Sequence, residues 1–170
     1  MQDTAGQDCA GQDRAGQGYA ARLRAADLRV TRPRIAVLEA VGANPHAPTD
    51  SIYSAVREVL PEVSRQAVYD VLHALTAAGL VRRIQPSGSL ARYESRVGDN
   101  HHHMVCRSCG AIGDIDCAVG EAPCLTADFE GFVCDEAEVI YWGQCPDCAN
   151  SDSCPTDRTE GASCRNNTHS

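Results

Sequence analysis

Four cysteines in two Cys-x-x-Cys turns, Cys106-Arg-Ser-Cys109 and Cys145-Pro-Asp-Cys148, carry the strongest chemical signal in the sequence. A turn of this spacing presents two thiolates to one side of an ion, and two turns complete the tetrahedral shell of soft ligands that Zn2+ favours. The 35 residues between the pairs exceed the usual zinc-ribbon spacing, so the intervening segment must itself form the small body that the metal closes. A redox pair of the thioredoxin kind belongs at a helix start after the first strand of a βαβ unit, and neither turn sits there. The spacing predicts structural zinc on Cys106, Cys109, Cys145 and Cys148. Cys117, Cys124 and Cys134 make no further pair and read either as buried small hydrophobes or as a thiol switch.

A second constellation is the run His101-His102-His103. On a strand His101 and His103 share one face and His102 takes the other. Imidazole with carboxylate suits Fe2+, Mn2+, Zn2+ or Ni2+, and Glu94 and Asp114 are the nearby acids. A solvated polar strand explains the same run, and residue types alone leave both readings open.

Elements must position these groups. Residues 1–17 repeat AGQD-like units and read as a disordered polar tail, as do residues 151–170. Between them Tyr19–Leu28 and Pro33–Val41 read as helices, the second capped by Thr31. The segment Asn44-Pro-His-Ala-Pro-Thr49 reads as a loop, with Thr49 capping a helix that ends at Pro61. From Ser64 an amphipathic helix buries Ala67, Val68, Val71, Leu72 and Leu75, exposes Arg65, Gln66, Tyr69, Asp70 and His73, and closes at Gly79. Strands over 80–84 and 90–95 form a hairpin turned at Pro86–Ser89. Helix, helix, hairpin is a winged helix-turn-helix. Beyond Gly98 the pattern becomes strand, strand, a weakly helical stretch over 119–128, and strand. The expected fold is therefore α+β: a winged-helix domain over 18–97 and a small α/β domain over 98–150.

Charge follows that division. The net charge is −8, but residues 20–96 carry eleven Arg against seven acids, whereas residues 97–170 carry three against thirteen. The first part is thus about +4 and the second about −10. No run approaches the roughly 20 apolar residues of a membrane span, and no secretory signal is evident, so a cytoplasmic location without membrane contact is expected.

The segments L-R-V-T-R-P-R-I-A-V-L-E-A-V, H-A-P-T-D-S-I-Y, V-S-R-Q-A-V-Y-D-V-L, R-Y-E, H-H-H-M-V-C-R-S-C-G and Y-W-G-Q-C-P-D-C, in this order from about Leu28 to Cys148, closely resemble the Fur family of metal-dependent repressors. The stretch D-C-A-V-G-E-A-P-C-L is similar to its actinobacterial branch, associated with catalase-peroxidase genes and oxidative stress. The resemblance implies a homodimer whose winged helix binds double-stranded DNA at an AT-rich inverted repeat and whose C-terminal domain dimerises around the four-thiolate zinc. It implies a regulatory metal, Fe2+ or Mn2+, on His46, Glu94, His101, His103 and Asp114. Arg65, Gln66 and Tyr69 become candidates for base contacts, and Arg32, Arg34 and Arg92 for phosphates.

Two features divide the effector assignment. Asp114 matches peroxide-sensing members, whereas Glu94 matches the iron-sensing pattern. A peroxide sensor acting through Fe2+ is the leading expectation; an iron-uptake or other metal-homeostasis repressor, or a cysteine thiol switch, are the alternatives on the same scaffold. A metalloenzyme is disfavoured because no nucleophile motif is present and five protein ligands leave little open coordination.

Overall fold

Helix formation begins earlier than the polar composition suggests. The computed structural model describes residues 8–86, 89–99, 101–117, 131 and 138–150, and its first element is α1, Asp8–Ala25. The helix start expected at Tyr19 is corrected here: residues 8–17 of the expected tail are helical, and residues 1–7 lie outside the described residues. Leu23 is fully buried and Tyr19 packs against the same core, so the last turns are nucleated by tertiary contact. Extending a nucleated helix costs less per residue than starting one, with Ala, Gln and Arg favouring the extension and Gly11, Gly16 and Gly18 opposing it. The helix closes at Ala25 because Asp27, at φ 55, turns left-handed. Its N–H donates to the Arg24 carbonyl and that of Leu28 to the Leu23 carbonyl, a Schellman closure without glycine.

Helix α2, Arg32–Ala43, starts with proline in its first turn; Thr31 occupies the N-cap position but its side chain makes no capping bond. The expected Asn44–Thr49 loop contains a two-residue strand, β1, Ala47–Pro48. Pro48, rather than Thr49, is the N-cap of α3, Thr49–Val59. Helix α4, Arg65–Ala77, starts after Ser64 as expected, and the Ser64 side chain caps it by accepting from the Ala67 N–H. Gly79, at φ 65, closes it through Gly79 N–H to Thr76 carbonyl and Leu80 N–H to Leu75 carbonyl. Val68, Leu72 and Leu75 are buried, while Ala67 and Val71 are only partly covered.

Strands β2, Arg82–Ile84, and β3, Arg92–Glu94, pair antiparallel as the wing. Strand β1 adds to the free edge of β3, Ala47 opposite Tyr93. The core beneath comprises Leu23, Leu38, Val41, Ile52, Val56, Leu72 and neighbours.

Contacts divide the chain between Val97 and Gly98. The second unit is a three-stranded sheet of order β5-β4-β6, formed by β4, His101–Cys106, β5, Ile112–Asp116, and β6, Ile140–Gly143. Strand β5 runs antiparallel to β4, with His103 opposite Asp114 and His101 opposite Asp116. Strand β6 runs parallel to β4, and one turn of helix, α5, Pro146–Ala149, follows. The expected helix over 119–128, Cys124, Cys134 and the 151–170 tail lie outside the described residues. No described helix is long and apolar enough to cross a membrane.

Candidate metal centres and nucleic-acid interface

The thiol site is assembled at one end of the β4-β5-β6 sheet. Cys106 ends β4, and the turn after it closes with the Gly110 N–H donating to the Cys106 carbonyl and the Cys106 N–H to that of Ala111. Gly110 has φ 72, a conformation that favours a residue without Cβ. The second knuckle docks because β6 runs beside β4 and the Arg107 N–H donates to the Gly143 carbonyl. Cys145 is the N-cap of α5 and Cys148 lies within its single turn.

The ligand sulfurs of Cys106, Cys109, Cys145 and Cys148 all lie within 4.8 Å of one another. Those of Cys109 and Cys145 are 3.7 Å apart. A tetrahedral shell with metal–sulfur bonds of about 2.3 Å requires sulfurs about 3.8 Å apart, so the donor set fits such an ion. The electrostatics distinguish the four. Burial pushes the Cys106 thiol up, but N–H groups of Cys109, Cys145 and Ser108 outweigh it and bring the pKa down to about 6. Cys109 is pushed up to about 12, chiefly by burial. The Cys145 N–H reaches Cys106 Sγ at 3.3 Å, a bond that fixes the direction of the sulfur.

The other candidate ligands fall into two groups, one in each unit. In the first, His46 Nε2 lies 3.0 Å from Glu94 Oε2, with both side chains buried. Adjacent donors around an octahedral ion with bonds of about 2.1 Å are also about 3 Å apart. His46 reaches this position through φ 62, a left-handed conformation in which histidine is enriched among non-glycine residues. Its N–H donates to the Tyr93 carbonyl and its carbonyl accepts from Arg92 Nη1 at 3.0 Å. The short strand β1 thus pins the loop that presents the imidazole.

In the second unit, His101 and His103 lie on one face of β4, their rings 4.9 Å apart and edge to face. His102, on the other face, lies against Tyr141. All three histidines are buried, which removes the solvated-strand reading. His103 Nε2 stands 3.8 Å from Asp114 Oδ1. His101 Nδ1 donates to Asp99 Oδ1 at 2.8 Å, which leaves Nε2 as the nitrogen able to bind a metal. Asp99 and Asp116 were missed as neighbours of the histidines. The signal for Asp116 was the strand register, which places it opposite His101; Asp99 had none beyond proximity in sequence.

The candidate DNA face is α4. Arg65, Gln66 and Tyr69 are exposed on it, with Asp70 and His73. Arg65 is paired with Asp50 and lies over the Tyr53 ring, 4.6 Å from its centroid. Gln66 Nε2 donates to Asp70 Oδ1 at 2.8 Å. Arg32 is exposed, Arg34 donates to the Arg29 carbonyl at 2.7 Å, and Arg92 is half-buried against His46. Arg92 thus holds the His46 loop through its bond to the His46 carbonyl.

Comparison with known proteins places this geometry in context. The model of the family described as "Ferric uptake regulator family" matches residues 25–139. The "Transcriptional regulator FurA" of Mycobacterium tuberculosis is 79% identical over 125 residues, covering 73% of this chain and 85% of that protein. "Ferric uptake regulation protein 1" of Mycolicibacterium fortuitum is 73% identical over 114 residues, covering 66% of this chain and 71% of that protein. A solved structure of the ferric uptake regulator from Pseudomonas aeruginosa with manganese is 27% identical, with TM-score 0.58, over 75% of this chain and 98% of that one.

Proposed function

The chain belongs to the ferric uptake regulator family, a transcriptional regulator and not an enzyme, and we propose that it is a homodimeric, metal-dependent DNA-binding repressor that senses peroxide through Fe2+. The observation that carries this reading is the coexistence of two chemically different ligand sets. One is four thiols within a single unit; the other consists of imidazole and carboxylate pairs, His46 with Glu94 and His103 with Asp114.

Soft thiolates in a closed shell suit structural Zn2+. Harder nitrogen and oxygen donors suit Fe2+ or Mn2+. The regulatory ligands proposed for one such ion are His46, Glu94, His101, His103 and Asp114. To turn a mostly incompetent protein into a mostly competent one, that ion must favour the binding form by roughly 5 kcal/mol, which several simultaneous ligands can supply.

When bound, Fe2+ supplies the reducing chemistry that lets peroxide alter the site. The chain holds His101 by Asp99 and His46 by backbone bonds from both sides. Peptide mapping after mild peroxide treatment of the iron-loaded protein tests the reading. Added oxygen on His46, His101 or His103 is expected. Full loss of DNA binding with unmodified histidines and new disulfides would instead establish a thiol switch.

Dimerisation through the second unit is supported by its exposed apolar side chains. Met104 and Tyr141 are neighbours across β4 and β6, and with Trp142 they are between 37% and 46% exposed. A second reading, repression of iron-uptake genes by the same dimer, is favoured by Glu94, which matches the iron-sensing pattern.

A further inference from the structure

Asp70 is the side chain on the proposed DNA face that the function above leaves unexplained. An exposed carboxylate there opposes the phosphates of a duplex and lowers general affinity. Its surroundings indicate a compensating use. At the start of α4, Arg65 is drawn back to Asp50 and Tyr53. The next residue, Gln66, reaches one turn along the helix, its Nε2 donating to Asp70 Oδ1 at 2.8 Å. This i,i+4 bond fixes the direction of the Gln66 amide and leaves two groups available beside each other: a carboxylate oxygen as acceptor and the second N–H of the amide as donor.

We propose that the Gln66–Asp70 pair determines operator specificity by selecting a C·G base pair, Asp70 accepting from cytosine N4–H and Gln66 donating to O6 of the paired guanine. The inference rests on the DNA-binding reading above. In a helix-turn-helix the N-terminal part of the second helix meets base edges in the major groove, and both residues lie in the first two turns of α4. An ionised carboxylate only accepts, so guanine O6 and N7 and thymine O4 repel it. Adenine offers an amino group but sets the N7 acceptor beside it. Cytosine offers N4–H with the non-polar C5–H on one side and a single acceptor, the O6 of its partner, on the other, where the Gln66 amide donates, whereas adenine N6–H is flanked by acceptors on both sides.

The test uses the full chain, zinc-loaded and saturated with Mn2+, to select duplexes from a randomised pool at one fixed salt concentration. Each position of the selected site is then varied singly, for the parent protein and for Asp70→Asn and Asp70→Ala. The expected result is one position in each half-site where replacing cytosine weakens parent binding by about tenfold or more. Both variants should lose that preference and keep the others. Variants that bind every sequence more tightly yet still prefer cytosine would make Asp70 a mere repeller of phosphate and overturn the proposal, as would a selected parent site with no cytosine preference. A parent protein that selects no sequence at all would instead refute the repressor reading, and this inference with it.

Discussion

His103 and Cys106 are three residues apart on one strand, yet their substitutions should have opposite consequences. Cys106→Ser removes one corner of the thiolate shell from a unit with few buried apolar residues among those described, so zinc should be lost and the protein should unfold or dissociate. Zinc analysis with size-exclusion chromatography checks this; a stable, zinc-free dimer would be the contrary result. His103→Ala leaves the shell intact and should give a folded, zinc-containing dimer whose DNA binding no longer responds to metal. Zinc uptake should also release protons, Cys109 being held protonated by burial, as a pH indicator in weak buffer would report. The cysteine ligands were legible because chemistry and spacing coincide in two short turns. His46 was legible only through family resemblance, since its position depends on a left-handed backbone and a bond to Tyr93, 47 residues further on.

At the scale of elements, α4 was readable nearly to the residue because its signals are local: a serine cap, a 3.6-residue apolar period and a closing glycine. Ser64→Ala should cost about 1 kcal/mol of stability through the lost bond to the Ala67 N–H. Gly79→Ala should cost about 1–2 kcal/mol, entirely from backbone strain at φ 65, because the space around an added Cβ is open. Denaturant unfolding of the zinc-loaded protein measures both, and two such losses with unchanged metal content are expected. The elements that were misread lack local signals. Strand β1 has two residues and exists only because β3 offers an edge. Helix α1 runs back to Asp8 through a glycine-containing polar repeat, held at its other end by Leu23 and Tyr19 in the core.

For the whole molecule, the division between Val97 and Gly98 separates a unit built on helical packing from one built on a small sheet with a thiol cluster at its end. The change in charge and periodicity along the sequence marked that division. DNA binding titrated with Fe2+ and Mn2+ on zinc-loaded protein at fixed salt, comparing the parent with His103→Ala, decides whether the imidazole and carboxylate groups regulate the protein. The parent should pass from weak to tight binding as metal saturates, while His103→Ala, folded and retaining its zinc, should stay flat. Tight parent binding without added metal, or a His103→Ala titration that follows the parent, would contradict the account.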